Sequence, residues 1–257
     1  VDDVELSIQG EMAFVRLRRP DQGNALRGVT FDALRKVGLR LQDTPPRYVL
    51  ITAEGADFCT GLDPDPQDPL YALFEPVARS RDAHRAAEIV GRLRSSLETL
   101  SRLPCPVIAA IEGRCWGAGL ALALVADLRI AASDATFCAG ETHRGVLEGL
   151  GTLTRLAVST GPARALDLTL TRRVVTAQEF AAMGLVSRVV APGEAMSQAI
   201  ELAHELKRQG TAARQQTLLT LRSMLVRLEK ELGPLETEGA ARAWVSGEFV
   251  MMGAPRE

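Results

Sequence analysis

Two short apolar runs, at residues 48–52 and 107–111, and a third strand at 128–131 are separated by glycine-bearing loops and helical stretches. A run of four or five consecutive apolar residues has no polar face to turn toward water, so as a strand it is covered on both sides. Strands of that kind belong to a mostly parallel sheet with helical crossovers. The expected fold class is therefore α/β, built either as stacked β-β-α turns or as a parallel sheet with crossovers.

The flanking segments fit this frame. Val4–Gln9 and Met12–Leu17 alternate around Gln9-Gly10-Glu11, which predicts a β-hairpin. Residues 18–23 read as a loop. Asn24 is expected to cap a helix reaching Leu41, with apolar positions at Leu26, Phe31, Leu34, Val37 and Leu41. Residues 53–68 form a loop rich in Gly, Asp and Pro. Residues 83–103 read as a long amphipathic helix and residues 117–126 as a small-residue helix packed inside. Beyond Gly151 the pattern is mostly helical, at 152–159, 163–170, 177–183, 194–209, 211–231 and 236–250, with one strand at 187–190. No composition shift marks a linker, so these helices are expected to cap the core or form an oligomer surface.

With 257 residues, 46% of them hydrophobic, the chain is long enough to bury a full core. Its net charge of −2 gives no broad attraction toward nucleic acid or anionic membrane, and neither partner is expected. Residues 117–126, the most apolar stretch, are too few to span a bilayer. Cys59, Cys105, Cys115 and Cys138 form no CxxC pair, and His84, His143 and His204 are scattered, so no metal site is expected. Free thiols suit a reducing cytoplasm. The first residues lack a basic run followed by an apolar one, so no secretion signal is expected.

Two glycine loops stand out as chemistry. Phe58-Cys59-Thr60-Gly61-Leu62-Asp63 follows the first apolar run, and Gly113-Arg114-Cys115-Trp116-Gly117-Ala118-Gly119 follows the second and opens a helix. Glycine at a strand exit frees backbone N–H groups to face a cleft, and a helix N-terminus adds positive partial charge. Two such loops side by side can aim two N–H groups at one developing oxyanion. Taken alone, the loops are equally served by ordinary turn glycines. A dinucleotide fingerprint is not supported: the position that needs a third Gly or Ala is Leu122.

These loops belong to a longer series: Arg19-Pro20 through Asn24-Ala25-Leu26; residues 58–63; residues 106–113; Gly117-Ala118-Gly119 through residues 126–131; Phe137-Cys138-Ala139-Gly140-Glu141; residues 149–156; and residues 177–186. In that order and at that spacing, over nearly the whole length, the chain resembles the crotonase (enoyl-CoA hydratase/isomerase) superfamily. The resemblance implies a crotonase-like spiral of ββα turns at residues 1–190 and a helical trimerisation region at 191–257. It implies a homotrimer or a dimer of trimers. It also implies an acyl thioester substrate carried on CoA or phosphopantetheine, with no other cofactor.

Residue by residue, the resemblance puts the two oxyanion N–H groups on Leu62 and Ala118. The carrier end would lie along Ala25, Ala56, Phe58, Thr60, Gly61 and Gly117. Of the two carboxylates that the family's hydratases use, the first falls on Ala121 and is missing, and the second falls on Glu141. Glu148 stands one position from where the family's dienoyl isomerases place a second acid.

One carboxylate beside an oxyanion hole suits a proton shuttle, because a glutamate in an apolar pocket has its pKa raised toward the working pH. The expected reaction is an enoyl double-bond shift or the dehydration of a β-hydroxyacyl thioester. One alternative is a conventional enoyl-CoA hydratase that recruits Glu148. Another is a non-catalytic acyl-thioester-binding protein. The chain is also similar to the polyketide β-branching dehydratases, which combine a Phe-Cys-x-Gly-x-Asp loop with loss of the first acid and act on carrier-protein thioesters. The absence of a basic run in residues 248–257 points the same way. His143 is read as a packing or surface histidine, Asp63 as the cap of a short helix, Trp116 as core, and Cys59 and Cys138 as small apolar fillers.

Overall fold

The computed structural model describes residues 3–140, 147 and 149–248. The chain opens on the expected hairpin, β1 (Val4–Gln9) and β2 (Met12–Leu17), paired antiparallel. β3 (Tyr48–Ala53), β4 (Val107–Ile111), β6 (Leu128–Ala132) and β9 (Arg188–Val190) then add in parallel, giving a six-stranded sheet of order β1-β2-β3-β4-β6-β9. The consecutive apolar residues of β3 and β4 are buried on both faces, as their sequence requires. Val49, Ile51, Val107, Ala109 and Ile111 face the main core. Leu50, Ile108, Ala110 and Ile130 face the opposite way, against Ala195, Ala199 and Leu202 of α8 (Ala195–Lys207).

A second, smaller sheet begins where the long strands end. β5 (Arg114–Trp116) follows β4, β7 (Thr136–Cys138) follows β6, and β8 (Val175–Thr176) completes the order β5-β7-β8. Cys59, beyond β3, pairs in parallel with Cys115 of β5. Each long strand thus feeds a short one in the next layer before the chain turns into a helix, the repeating ββα turn that the sequence suggests. Strands of two or three residues are too short to show a period, and their partners define them.

The helices depart from expectation in three places. α1 (Gly28–Asp43) starts three residues later than expected, with Arg27 at its N-cap. Asn24 does not cap it; this residue lies in the left-handed region at φ 53° and is buried. α2 (Pro69–Ser80) occupies a stretch with no helical expectation, and it packs with α3 (Ala83–Ser101). After α4 (Ala118–Leu124), α5 (Thr152–Thr160), α6 (Pro162–Thr171) and α7 (Ala177–Ala182), the last two expected helices merge into α9 (Thr211–Val245), which runs through Pro234. α2, α3 and α9 share an apolar cluster in which Phe74 stacks on Trp244, 4.1 Å between ring centres.

Candidate active site

Two loops meet at the ends of β3 and β4. Backbone bonds sew them together: Phe58 N–H donates to the Glu112 carbonyl at 2.8 Å, Cys59 N–H to Arg114 at 2.9 Å, and Trp116 N–H to Cys59 at 2.9 Å. Asp57 reinforces the seam by accepting the Arg114 guanidinium at 2.9 and 2.6 Å. That hydrogen bonding holds the Asp57 carboxyl below its ordinary range, against the opposing effect of burial. Leu62 and Ala118 each stand three residues beyond the paired Cys59 and Cys115, so the two loops leave the seam in step.

The Leu62 peptide is oriented by its neighbours. Leu26 N–H donates to the Gly61 carbonyl at 2.8 Å, and Asp63 N–H donates to the Leu26 carbonyl at 2.9 Å. In a parallel pair of this kind the residue between those two groups turns its own N–H the other way, away from Leu26. Ala118 is the first residue of α4, where an N–H has no intrahelical carbonyl. Neither N–H donates to a backbone or side-chain acceptor among the described residues. Gly117 adopts φ 50°, ψ −120°, open to glycine alone, and its N–H donates to the Cys138 carbonyl at 2.9 Å. A Cβ at Gly119 would sit 2.4 Å from the Cys59 carbonyl oxygen, so glycine there lets the helix start press against the first loop.

The carrier-end residues separate into two groups. Ala25, Thr60 and Gly61 come together: Thr60 N–H donates to the Gly23 carbonyl at 3.0 Å, and Gly61 takes up φ 111°. Ala56 is exposed at the loop surface. Phe58 is fully buried in the main core, so its side chain fixes the loop from behind. Ala121 is 1% exposed and packed in the same core, so the place where a first acid would stand is apolar. Glu141, His143 and Glu148 lie outside the described residues.

Burial disfavours the thiolate at Cys105 and Cys115. Burial, with Cys59 alongside, pushes the Cys115 thiol well above its ordinary value, and burial takes Cys105 up to about 12. Cys59 and Cys138 are buried, as small fillers would be. Trp116 is half-buried, its indole N–H on Thr136 Oγ1 at 3.2 Å and the Arg114 guanidinium 5.6 Å from its ring centre.

Four structural roles escaped the reading of the sequence. Asn24 staples the loops: its amide donates to the Glu54 and Asp57 carbonyls at 2.8 and 2.7 Å, and its Oδ1 accepts Arg19 N–H at 2.8 Å. Asp63 caps no helix; its carboxylate accepts the Arg19 guanidinium at 2.6 Å, and Asp68 caps α2 instead. Tyr71 of α2 donates its phenol to the Asp63 carbonyl at 2.7 Å. Arg172 Nε donates to the Gly140 carbonyl at 3.0 Å. The spacing of Leu70, Tyr71, Phe74 and Val77 is a helical signal for α2; the other contacts are long-range and carry none.

Among the described residues, no group of His, Cys, Asp and Glu is arranged to hold a metal ion, and no helix is long and apolar enough to cross a membrane.

Comparison with known proteins bears on the family and the fold. Residues 7–231 match the family model for enoyl-CoA hydratase/isomerase. The chain is 34% identical to the carnitinyl-CoA dehydratase of Proteus mirabilis, over 79% of this chain and 74% of that protein. It is 33% identical to the human mitochondrial Delta(3,5)-Delta(2,4)-dienoyl-CoA isomerase, over 84% of this chain and 66% of that one. Among solved structures, one described as an enoyl-CoA hydratase of Thermobifida fusca YX, in complex with CoA, superposes with a TM-score of 0.74 at 29% identity, covering 90% of this chain and 91% of that one. An enoyl-CoA hydratase/isomerase from Mycobacterium paratuberculosis shares the fold at a TM-score of 0.85 and 23% identity, over 97% of this chain and 96% of that one. This chain belongs to the enoyl-CoA hydratase/isomerase family.

Proposed function

We propose that the Leu62 and Ala118 N–H groups hold the thioester carbonyl oxygen of an acyl-CoA substrate, and that Glu141 alone moves the proton at the adjoining carbons. The observation that carries this reading is the Cys59–Cys115 pairing, which sends two amides without internal acceptors out of one seam in step. Two such donors stabilise the enolate oxygen, and each is worth about 3–4 kcal/mol of transition-state energy.

With Ala121 buried among apolar neighbours, no carboxylate stands at the first acid position to help hold water. That favours a 2-enoyl/3-enoyl shift or dehydration of a 3-hydroxyacyl thioester over hydration. Glu148 is the candidate for a conventional hydratase's second acid. The same acyl group on a phosphopantetheine carrier protein is a further candidate substrate, and the helices at 191–257 are the proposed assembly surface.

Glu141→Gln should lower turnover by two or more orders of magnitude while acyl-CoA binding is retained. Crotonyl-CoA hydration, 3-enoyl-CoA isomerisation and 3-hydroxyacyl-CoA dehydration would be measured side by side. Undiminished turnover in Glu141→Gln rejects the single-acid reading, and hydration outrunning the other two reactions favours the Glu148 route. A clear preference for free CoA over the carrier-protein thioester removes the carrier.

A further inference from the structure

Among the described residues, three that are not glycine adopt left-handed backbone: Asn24, Arg81 and Arg172. Two have an evident local return. Asn24 staples the site loops, and asparagine tolerates this region. Arg81 closes α2 by donating its N–H to the Ala78 and Val77 carbonyls. Arg172, at φ 54° on the end of α6, closes no such turn among the described residues. A left-handed arginine is unfavourable, and it persists only where surrounding contacts hold it.

Those contacts lead to one place. Arg172 Nε donates to the Gly140 carbonyl at 3.0 Å, and the Arg172 carbonyl accepts the Cys138 thiol at 3.4 Å. The fit is tight: a Cβ at Gly140 would lie 2.9 Å from Cys138 Sγ and 3.0 Å from Arg172 Nε. Cys138 also receives Gly117 N–H on its own carbonyl, one residue before Ala118. Arg172 therefore grips the exit of β7 at the point where that strand is tied to the second loop of the site. Gly140 is bonded directly to Glu141.

We propose that Arg172 is a positioning residue for the reaction: it fixes Gly140, and so the start of the chain that carries Glu141, relative to the Ala118 amide. This rests on Glu141 being the acid/base. The strained backbone at 172 is kept because it delivers the guanidinium to the Gly140 carbonyl. The residue touches no reacting atom; through Gly140 and Cys138 it ties the exit of β7 to the loop that carries the Ala118 amide, and that tie sets the register. Proton transfer is sensitive to such register, and a displacement of about 1 Å can cost on the order of a hundredfold in rate.

The test compares Arg172→Gly, Arg172→Lys and Arg172→Ala in the full-length protein, using whichever of 3-enoyl-CoA isomerisation or 3-hydroxyacyl-CoA dehydration the wild type performs faster. Arg172→Gly relieves the left-handed strain while removing the grip. Its Tm should hold or rise while kcat falls by about tenfold or more and KM stays within about twofold. Arg172→Lys should recover part of the lost kcat, and Arg172→Ala should not. A wild-type kcat in Arg172→Gly overturns the proposal. Should that variant lose Tm, the Lys and Ala variants decide: a higher kcat for Lys supports the grip, and equal values overturn it. Glu141→Gln in the same assay separates the two claims. If it is inactive while Arg172→Gly is unimpaired, only the positioning role fails; if it is fully active, the acid/base reading fails.

Discussion

Asp63 follows the Leu62 amide directly, and three attachments determine where that amide faces. Its carboxylate accepts the Arg19 guanidinium at 2.6 Å, its N–H donates to the Leu26 carbonyl, and its carbonyl accepts the Tyr71 phenol. Arg19 NH1 also donates to the Ala25 carbonyl at 2.6 Å, so one guanidinium links both sides of the first loop. Tyr71→Phe removes a single hydrogen bond, about 1 kcal/mol of stability, and leaves the ring in place. If the bond holds the peptide that follows the proposed oxyanion donor, kcat should fall by about tenfold with little change in Tm. Asp63→Asn should cost more of both, because the buried Arg19 head keeps only the more distant Asp3 carboxylate, 3.9 Å away, as counter-charge. Steady-state kinetics beside thermal melts check this; a Tyr71→Phe enzyme with unchanged kcat shows that the Leu62 peptide keeps its orientation without the phenol. The Asp63 ion pair was not legible in the sequence because it joins residues 44 positions apart. A helix cap is the nearest local use for an aspartate in such a loop, and that is what the sequence suggested.

Strands buried on both faces advertise themselves by composition, and β3 and β4 lie close to where their apolar runs place them. Elements fixed by partners do not: β5, β7 and β8 were invisible, and residues 232–235 fell between two expected helices in what is one helix. α9 continues because its break point is held from outside. Arg94 donates to the Gly233 carbonyl at 3.0 Å, and a Cβ at Gly233 would lie 2.7 Å from that guanidinium. One turn on, Glu236 accepts the Thr154 hydroxyl at 2.8 Å and the Thr154 and Leu153 N–H groups at 3.2 and 3.3 Å, so α9 is clamped to the start of α5. Burial pushes this carboxyl above its ordinary value, more than the Thr154 bonds and Arg94 lower it. The folded state therefore keeps its proton to higher pH than the unfolded chain does. The stabilisation of the protonated form is complete below the unfolded value of about 4.5 and is lost as pH rises through the folded one. Glu236→Gln keeps an acceptor for Thr154 without the charge, so its Tm should match or exceed wild type at pH 7 and lose that advantage below about pH 4.5. Glu236→Ala leaves buried donors unmatched and should cost about 1–3 kcal/mol at either pH. A Gln variant that melts well below wild type at pH 7 shows that the charge itself holds the helix.

A cavity of about 1900 Å³ runs between α3, the residues around Pro104 and Asp127, and the length of α9. Its principal charges are matched within the chain: Arg94 with Glu98 at 2.7 Å, Arg155 with Glu229 at 2.7 Å, and Arg222 with Asp127 at 2.5 Å. Beside those pairs, and beside exposed polar residues such as Arg227 and Lys230, the lining carries a group of exposed apolar side chains. Leu219, Leu221, Met224 and Val226 stand at least half exposed on α9, although most of the chain's large apolar side chains are buried. Four exposed apolar side chains within residues 219–226, Leu221 and Met224 on one side of the helix and Leu219 and Val226 on the other, are more than the scattered surface leucines of a monomer, and they fit association with further copies of the chain through residues 211–226. Because the attraction is hydrophobic, the assembly should survive about 1 M salt, where exposed ion pairs are screened within about 3 Å. Light scattering coupled to size exclusion would report the mass. Leu221→Asp with Met224→Asp should reduce it to that of one chain while the fold, followed by circular dichroism, is kept. A wild-type protein that elutes as one chain at micromolar concentration removes the assembly role from the C-terminal helices and leaves the α9 face without a partner of its own kind. If the assembly forms but falls apart in salt, these apolar side chains are not what holds it.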